Sequence, residues 1–444
     1  MRVATVRRPS LESPMSLFGS MTTAISGLNA QARALGHVSD NVANSQTVGF
    51  KRTDTNFVSF LTDSTQTVHR PGSVVARPDY TNTVQGTIEQ SENPLALAIA
   101  GQGFFSVALP TGSVNGQTTF DERQFFTRGG DFQLDRDGYM VNGAGYTLQG
   151  WTADATGQPD RTRIQPIRVS ELVFNPIATG NIELSANLPA TGTTPVSTPL
   201  NVYDSLGALQ PMTLTWTPTA ANTWTLDISA PGAGGSLGTI DLQFGQAATP
   251  AVPDGTIGGF ANAAGSFAGA AAVSGDPATV TFAANFGQGN QAITLNLGAF
   301  GAARGVTQYA GDEYEVRNLA QDGVPLGAFS SVAIRDNGDV AINYDNGQSR
   351  VIARVPITTF NNPDALQRLD GQAFMRTLES GEARTSDPAS NGSGRLTVGS
   401  IERSNVDIAA EFTKLIVAQR AYTANTKIVT ASDEMLQDTI NMRR

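Results

Sequence analysis

The sequence predicts a mainly β protein, built from antiparallel β-sandwich or barrel-like domains, with one α-helix at each end of the chain. Three observations support this prediction. Both termini carry an apolar residue every seven positions, the middle alternates apolar and polar residues, and Gly accounts for 46 of the 444 residues. Heptad spacing is typical of helices that pack on other helices, and strict alternation is typical of half-buried strands.

The composition argues against several classes of protein function. Charged residues make up 15% of the chain, the formal net charge is −10, and the sequence has no Cys and only two His. Nucleic-acid binding requires clustered Lys and Arg, so we expect no nucleic-acid partner. The lack of Cys excludes disulfides, thiolate chemistry and Cys-ligated metals. Because the sequence contains no apolar run of about 18 residues, we also expect no membrane insertion.

Residues 1–14 precede the first regular pattern, which starts after Met15. They contain three Arg and one Glu but no apolar stretch of signal-peptide length, so we expect export without a cleaved signal peptide. Two interpretations of this segment stay open. It is either an extension upstream of the true start at Met15 or a disordered N-terminal arm.

The N-terminal helix is predicted over residues 15–42. Its apolar residues form a narrow a/d seam of roughly three and a half heptads. The seam residues expected to contact other helices are Phe18, Met21, Ile25, Leu28, Leu35 and Val42. Between Met15 and Phe50 the only charged residues are Arg33 and Asp40, fewer than a solvated surface helix normally carries.

A second helix is predicted over residues 408–444. Either Asn405 or Asp407 is placed to cap its start. Its seam residues are Ile408, Phe412, Leu415, Tyr422, Val429, Leu436 and Ile440. Arg443 and Arg444 stand at the C-terminal end, where the helix dipole favours cations.

The two seams allow two alternatives on pattern alone. Either the helices pack together inside one globular core, or they form contacts between copies of the chain. A strict a/d stripe buries one narrow face, so an isolated terminal helix of this kind is marginally stable in a monomer. The position of the helices at the extreme ends of the chain, around a Gly-rich β region, argues for assembly. Periodicity leaves both alternatives open.

The middle of the chain, from about residue 94 to 395, is predicted to form antiparallel sheets in a sandwich or barrel. The sequence DRDG at 135–138 predicts a hairpin turn. Two longer strands are predicted around Trp216 and Trp224. The Gly- and Ala-rich segment 255–275 is expected to be a surface loop.

We expect no catalytic site, no cofactor and no metal. His37 and His69 lie on different segments, which argues against a His metal site or a His-based triad. The acidic turns that end at Gly138 and Gly338 do not fit a calcium loop. In the first of them, Ala144 stands where the loop requires Glu. Both are predicted to be simple turns, and we expect the protein not to be an enzyme.

Several stretches resemble signature blocks of the rod/hook family of bacterial flagellar axial proteins. These blocks are residues 41–51 (NVANSQTVGFK), 93–105 (NPLALAIAGQGFF), 127–132 (TRGGDF), 404–407 (SNVD) and 419–422 (QRAY). Residues 202–207 (VYDSLG) and the segment 321–360 resemble hook subunits of the family rather than rod subunits, which are shorter and lack a large inserted domain. The resemblance covers nearly the whole chain from Met15 to Arg444.

The resemblance implies a structural subunit of the flagellar hook. That hook is a helical tubular polymer that acts as a flexible universal joint and transmits motor torque from rod to filament. The resemblance also implies passage through the flagellar type III export apparatus and an extracellular location. The implied partners are further copies of the chain, the hook cap protein, the distal rod protein, the hook–filament junction protein, the export apparatus and the hook-length control protein.

The expected domain plan is nested, with both ends of the chain meeting in one helical domain. Its parts are a terminal helical core (15–42 with 408–444), a connecting hinge (43–92 with 396–407), a first β domain (93–175 with 306–395) and an inserted outer β domain (176–305). The signature residues expected at the hinge are Asn41, Asn44, Thr47, Gly49, Phe50 and Lys51. Asn side chains bond to nearby backbone and end helices, and Gly allows a backbone turn before an anchoring aromatic residue.

Two rival functions stay open. One is a distal rod subunit, which has the same helical core in a stiff shaft; the large β insertion argues against it. The other, from a different class, is a secreted β-rich adhesin or polysaccharide hydrolase. A hydrolase requires a carboxylate pair in an aromatic-lined cleft, and the 39 Asp and Glu residues leave such a pair open.

Overall fold

The computed structural model describes residues 17–64, 69–114, 117–154, 156–169, 173–311 and 313–442. The segment 1–14, the start expected at Met15 and the two terminal Arg residues lie outside this part of the chain. The chain forms two compact units. The described residues of the first unit fall within 1–170, 332–342 and 350–444, and those of the second fall within 171–331 and 343–349.

The first unit begins with a helix and a long hairpin. These elements are α1 (Leu17–Ala43), β1 (Thr53–Ser64), β2 (His69–Tyr80) and the short β3 (Ile88–Gln90). The N-terminal helix predicted from the heptads is confirmed. The hairpin was not predicted, because residues 43–92 were expected to be a connecting hinge.

The hairpin lies against α1. Thr23 Oγ1 donates a hydrogen bond to the carbonyl of Gly72 at 2.7 Å, and the amide of Val74 donates to Ser26 Oγ at 3.2 Å. Two-stranded hairpins are marginal in isolation, so docking on the helix supplies the stability that the strand sequences lack.

Short strands follow in the same unit. They are β4 (Leu97–Ala100), β5 (Phe105–Ala108), β6 (Pro110–Val114), β7 (Gln117–Phe120), β8 (Phe125–Thr127), β9 (Gln133–Leu134), β10 (Met140–Val141), β11 (Thr147–Thr152) and β12 (Gln165–Pro166). The hairpin predicted at 135–138 is confirmed, because β9 pairs antiparallel with β10 and Gly138 takes a φ of 81° between them.

The second unit contains ten strands within its described residues. They are β13 (Asn181–Asn187), β14 (Val196–Tyr203), β15 (Leu209–Ala220), β16 (Thr223–Ala230), β17 (Gly235–Phe244), β18 (Ile257–Gly265), β19 (Ala268–Gly269), β20 (Pro277–Asn285), β21 (Asn290–Ala299) and β22 (Glu315–Gln321). They form two five-stranded sheets, in the orders β19-β20-β21-β13-β22 and β14-β15-β16-β17-β18.

These two sheets share one apolar core, as a sandwich requires. Every second residue of β16 is buried, and Trp216 and Trp224 are both fully enclosed. The core draws residues from both sheets, including Leu184 of one and Leu226 of the other. The predicted sandwich is confirmed, and the described strands form no closed barrel.

Three details of the second unit differ from the sequence prediction. The pairing of β13 with β21 is parallel, not antiparallel. Segment 255–275 is not one continuous loop, because β18 adds to the edge of one sheet and β19 to the edge of the other. Strand β22 pairs with β13 in this unit, although residues 306–395 were expected in the first β domain.

The remaining elements are β23 (Phe329–Ile334), β24 (Asp339–Tyr344), β25 (Ser349–Arg354), β26 (Ile357–Thr359), β27 (Gln367–Arg368), β28 (Ala373–Met375), β29 (Arg384–Ser386), β30 (Arg395–Val398), β31 (Ser400–Glu402) and α2 (Ile408–Asn441). An eleven-stranded sheet has the main order β23-β24-β25-β11-β5-β8-β28-β27. Strands β30 and β31 pair with β4 and β3, so that part of the segment after α1 lies beside the segment before α2. In the described part of the chain, neither helix is long and apolar enough to cross a bilayer.

Candidate subunit interface

The two terminal helices form an antiparallel pair. Near the C-terminal end of α1, Asn41 Nδ2 lies 3.1 Å from Glu411 Oε2, at the start of α2. About four turns further along each helix, a Cβ placed on Gly27 would lie 2.8 Å from Asn425 Nδ2. The side chain of Asn425 therefore occupies space that α1 leaves free at Gly27.

The contact surface of this pair, here called the inner seam, consists mostly of small and polar residues. On α2 the buried residues are Glu411, Ala418 and Ser432, at heptad-compatible spacing. On α1, which packs on both α2 and the β1–β2 hairpin, the buried side chains are Ala24, Ala30, Ala34, Val38 and Asn41. Val38 is the largest apolar member, so the seam buries little hydrophobic area.

Several large apolar residues of the predicted seams are exposed, on surfaces that we call the outer faces. On α1, Phe18 is 66% exposed and Ile25 is 41% exposed. The half-buried members of the α1 prediction are Met21, Leu28, Leu35 and Val42. The helix pair therefore leaves part of the heptad stripe of α1, at Phe18 and Ile25, exposed.

The outer face of α2 has the same character. Phe412 is 50% exposed and Ile440 is 67% exposed, and Ile408 and Tyr422 are also exposed. The half-buried members of the α2 prediction are Leu415, Val429 and Leu436. Of the thirteen predicted seam residues, six are therefore exposed and seven are half-buried within one chain.

Both residues considered for the cap of α2 have a defined role. Asp407 is the N-cap, and its Oδ1 accepts hydrogen bonds from the amides of Ala409 and Ala410 at 2.9 and 3.2 Å. Asn405 instead accepts a hydrogen bond from the amide of Arg52 at 2.7 Å. Asn405 thus connects the start of α2 to the segment that follows α1.

Asn41 joins three elements at the base of the helix pair. Its side-chain amide exchanges two hydrogen bonds with the backbone of Thr53, at 2.8 and 2.9 Å, in addition to its contact with Glu411. Glu411 also accepts from Lys414 Nζ at 2.8 Å, and Lys414 contacts Asp54 on β1. Burial lowers the pKa of Lys414, but its hydrogen bonds to Asp54 and Glu411 outweigh this effect and raise the pKa overall.

The signature after α1 ends the helix through local hydrogen bonds. Asn44 Nδ2 donates to the carbonyl and to Oδ1 of Asp40, at 3.0 and 2.9 Å. Thr47 Oγ1 donates to Asn44 Oδ1 at 3.2 Å. These contacts satisfy groups that a helix terminus otherwise leaves unpaired.

Gly49 is required at its position for two reasons. Its φ is 71°, a region that side-chain-bearing residues rarely adopt, and an added Cβ would lie 2.4 Å from the amide nitrogen of Gly129. Its own amide donates to the carbonyl of Glu402 at 2.8 Å, and the neighbouring Phe50 is buried. The turn is therefore packed tightly against the strands of the first unit, here called the β unit.

Lys51 belongs to a fully buried ion cluster that the sequence did not reveal. Its Nζ lies 2.5 Å from Glu402 Oε1, while Arg128 Nη1 lies 3.0 Å from Glu402 Oε2. All three side chains are at most 1% exposed. Burial lowers the pKa of Lys51 to about 8, although the carboxylate of Glu402 acts in the opposite direction. Arg128 lies inside the TRGGDF block, but nothing in its spacing indicated a partner.

Arg368 also binds the segment that contains Lys51 and Arg52. Its guanidinium donates to the carbonyls of Lys51 and Arg52 at 2.6 and 3.1 Å, and to Asn82 Oδ1 at 2.8 Å. It also lies over the ring of Tyr80, 4.7 Å from the centroid. A lone Arg at the end of a strand carries no sequence signal for such a role.

Among the described residues, no group of three or more Asp, Glu or His side chains is arranged to hold a metal ion. The polar side chains described above bond to one another and to backbone groups. The arrangement is suited to holding the helix pair on the β unit and to presenting two apolar outer faces.

Four protein-family models match successive parts of the chain. They are the flagella basal body rod protein (residues 21–51), the flagellar hook protein FlgE/F/G D1 domain (98–187), the flagellar basal body protein FlaE D2 domain (175–324) and the flagellar basal body rod FlgEFG protein C-terminal region (397–442).

Characterised relatives match over almost the whole chain. The flagellar hook protein FlgE of Brucella abortus is 33% identical over 437 residues, covering 97% of this chain and 100% of the relative. The flagellar hook protein FlgE of Rhizobium meliloti is 32% identical over 448 residues, with the same coverage. A solved structure, the flagellar hook protein FlgE2 of Helicobacter pylori, matches 69% of this chain and 98% of its own at 14% identity and a TM-score of 0.46.

Proposed function

The chain belongs to the flagellar hook protein family as a structural subunit, and from this premise we propose that it polymerises by burying the outer faces of its terminal helices between neighbouring copies. The polymer is the flagellar hook, a helical tube that acts as a universal joint between rod and filament. The family's role is structural, which argues against a catalytic function for this chain.

One observation carries the proposal. The inner seam of the helix pair is built from residues such as Gly27 and Ala34, whereas Phe18, Ile25 and Phe412 point outward. Exposed apolar residues at this density on two adjoining helices mark an interaction surface. Each fully buried Phe or Ile stabilises a contact by about 1.5–3 kcal/mol, so neighbouring copies supply the larger share of the helices' stability.

Assembly would then be a disorder-to-order step. The chain travels unfolded through the flagellar type III export apparatus, and residues 16–42 and 408–440 become stably helical when neighbours cover their outer faces. No cleaved signal is needed on this route, and the assembled protein lies outside the cell.

The wider set of partners follows the same assembly order. A hook cap protein guides addition, the distal rod protein lies below, the hook–filament junction protein lies above, and the hook-length control protein ends growth. Further copies of the chain itself are the main partner.

The signature residues connect the terminal helices to the β unit. Asn41, Gly49 and Lys51 are each fixed by buried hydrogen bonds, ion pairs or close backbone contacts. We place the flexibility of the joint in sliding contacts between outer β surfaces. The signature segment then acts as a hinge only at the turn that directly follows Asn41. The 15% charge content suits weak contacts that break and re-form.

The proposal is tested by variants in a strain whose only copy of the gene is altered. Deletion of residues 408–444 removes α2, and Phe412→Asp places a charge on the outer face without removing the helix. Both variants should be exported but should form no hooks, and the cells should be non-motile.

A matched control is Leu378→Asp, since Leu378 is 99% exposed but lies in a loop of the β unit. This variant should assemble normally. Normal hooks from the deleted chain, or from Phe412→Asp, would overturn the proposal.

A further inference from the structure

A groove opens at the base of the first unit, between α1, α2 and the β1 strand. Its volume is about 580 Å³, and its apolar lining includes Ala34 and Val38 of α1, Phe57 of β1, and Val417 and Ala418 of α2. Phe57 and Val417 are exposed although they line a concavity, and Val417 is 63% exposed. A concave apolar surface flanked by two exposed side chains is suited to receive an apolar ridge.

The charges at the rim of this groove are already paired. Arg52 Nε lies 3.2 Å from Asp54 Oδ2, and Lys414 Nζ lies 2.8 Å from Glu411 Oε1 and also contacts Asp54. Two cations and two carboxylates therefore neutralise one another. A charged occupant would disrupt these pairs or stay unpaired itself, so the groove favours an uncharged occupant.

One surface of this same chain is both apolar and uncharged. Residues 17–32, the first half of α1, contain no charged residue, and their outer face presents Phe18 and Ile25. The later part of α2, in contrast, carries exposed charges at Arg420, Lys427, Asp433, Glu434 and Asp438. The uncharged half of α1 is therefore the better match to the neutral rim.

The groove cannot take α1 of its own chain. Ile25 and Ala34 lie nine positions apart on one helix, about 14 Å along its axis at 1.5 Å per residue. Phe18 lies about 24 Å from the same point. The occupant must come from another copy.

We propose that the groove binds the outer face of residues 18–28 of α1 from a second copy. The contact joins two different patches, one on each copy, so it is heterologous and generates an open helical polymer rather than a closed dimer. The inference rests on the proposed function and adds to it which surface of one subunit meets which surface of the next.

Disulfide trapping tests this contact, because the natural chain contains no Cys. Val417→Cys is combined in one chain with Ile25→Cys or with Phe18→Cys, and assembled hooks are oxidised and run on a non-reducing gel. Gly27 lies opposite Asn425, so Ile25 lies about ten positions from Val417 along α2, or about 15 Å. A disulfide needs Cα atoms within about 7 Å, so only contacts between copies can cross-link.

The matched control moves the second Cys by one position, to Ile416→Cys. Ile416 is also exposed but lies about 100° around the helix from Val417 and outside the groove lining. We expect a ladder of covalent multimers for at least one Val417 pair and none for the corresponding Ile416 pairs. Assembled hooks that give no ladder with Val417, or equal ladders with both positions, would overturn the inference while leaving the proposed function intact.

A charge swap covers the case in which Cys variants fail to assemble. Ile25→Lys and Val417→Glu should each lower the number of hooks per cell at least tenfold, because each places one unpaired charge in the contact. The double variant pairs the two charges and should recover a measurable fraction of hooks. A double variant no better than the worse single variant would overturn the inference. Normal hooks from Phe412→Asp would instead overturn the proposed function.

Discussion

Lys51, Glu402 and Arg128 place one carboxylate between two cations in a site closed to water. Each side chain is at most 1% exposed, and the cluster joins the segment after α1 to β31 and to the loop after β8. A buried ion needs partners on all sides because its desolvation costs several kcal/mol. The amide of Gly86 at 2.8 Å from Glu402 Oε1 and the carbonyl of Val84 at 2.6 Å from Lys51 Nζ supply further hydrogen bonds.

The depressed pKa of Lys51 predicts a pH dependence with a definite sign. In the folded chain Lys51 loses its proton near pH 8, whereas in the unfolded chain it keeps the proton up to its ordinary value of 10.5. Between these values the unfolded state binds more protons, so the free energy of unfolding rises with pH, by at most about 3 kcal/mol. Urea unfolding of the monomer at several pH values in this window measures the rise.

Lys51→Met should remove this rise, because the variant has no proton to lose. Lys414→Met is the control, since the pKa of Lys414 is raised by its partners and its contribution is lost only above the ordinary lysine value. Equal slopes for the wild type and Lys51→Met between pH 8 and 10.5 would contradict the assigned burial of Lys51.

At the scale of the element, α1 carries two stripes of different chemistry. The heptad of Phe18, Ile25 and Leu28 was readable because large apolar residues stand out in a sequence. The inner seam was not readable, because Gly27 and Asn41 are small or polar and carry no hydrophobic periodicity. The sequence therefore predicted the helix and its length, and it assigned the apolar stripe to contacts with other helices. It did not indicate which surface of α1 faces α2 in the same chain.

Gly27 and Gly36 offer a matched test of the inner seam within one helix. A Cβ on Gly36 meets nothing within 4 Å, so Gly36→Ala should stabilise α1 by about 1 kcal/mol. A Cβ on Gly27 would lie 2.8 Å from the side chain of Asn425, so Gly27→Ala must displace that side chain and should gain less or destabilise. Thermal unfolding followed by far-UV circular dichroism compares the two variants. An equal gain from both would show that the helices do not approach closely at Gly27.

The β elements show the same limits of sequence reasoning. Strands β15 and β16 were predictable because their apolar residues alternate strictly and both Trp residues face one core. Strand β18 was not, because its sequence IGGFANAAG has low β propensity and forms a strand only by pairing along β17. The β1–β2 hairpin was missed for a related reason, since its stability comes from docking on α1.

At the scale of the whole molecule, the chain divides its polar and apolar contacts between two purposes. Buried ion pairs and hydrogen bonds around Asn41, Lys51, Arg368 and Glu402 fix the helix pair to the β unit. These contacts specify geometry but add little net stability. Several large apolar residues of the helices, which would add stability, are exposed. A single copy therefore has a well-defined arrangement but a weakly stabilised helical end.

This division predicts a difference in hydrogen exchange between the free subunit and the polymer. In the free subunit, amides of Leu17–Ala43 and Ile408–Asn441 should exchange rapidly, because small seam residues bury too little area to hold the helices closed. Amides of β15 and β16, which belong to the sandwich core, should be protected in both states. In assembled hooks the helical amides should gain at least a hundredfold protection, since the outer faces of Phe18 and Phe412 are then covered. Limited proteolysis of the free subunit should accordingly cut first within the two helices. Equal protection of the helical amides in the free subunit and in the polymer would contradict this prediction. It would mean that the inner seam alone stabilises the helix pair and that the helices fold without burial of their outer faces.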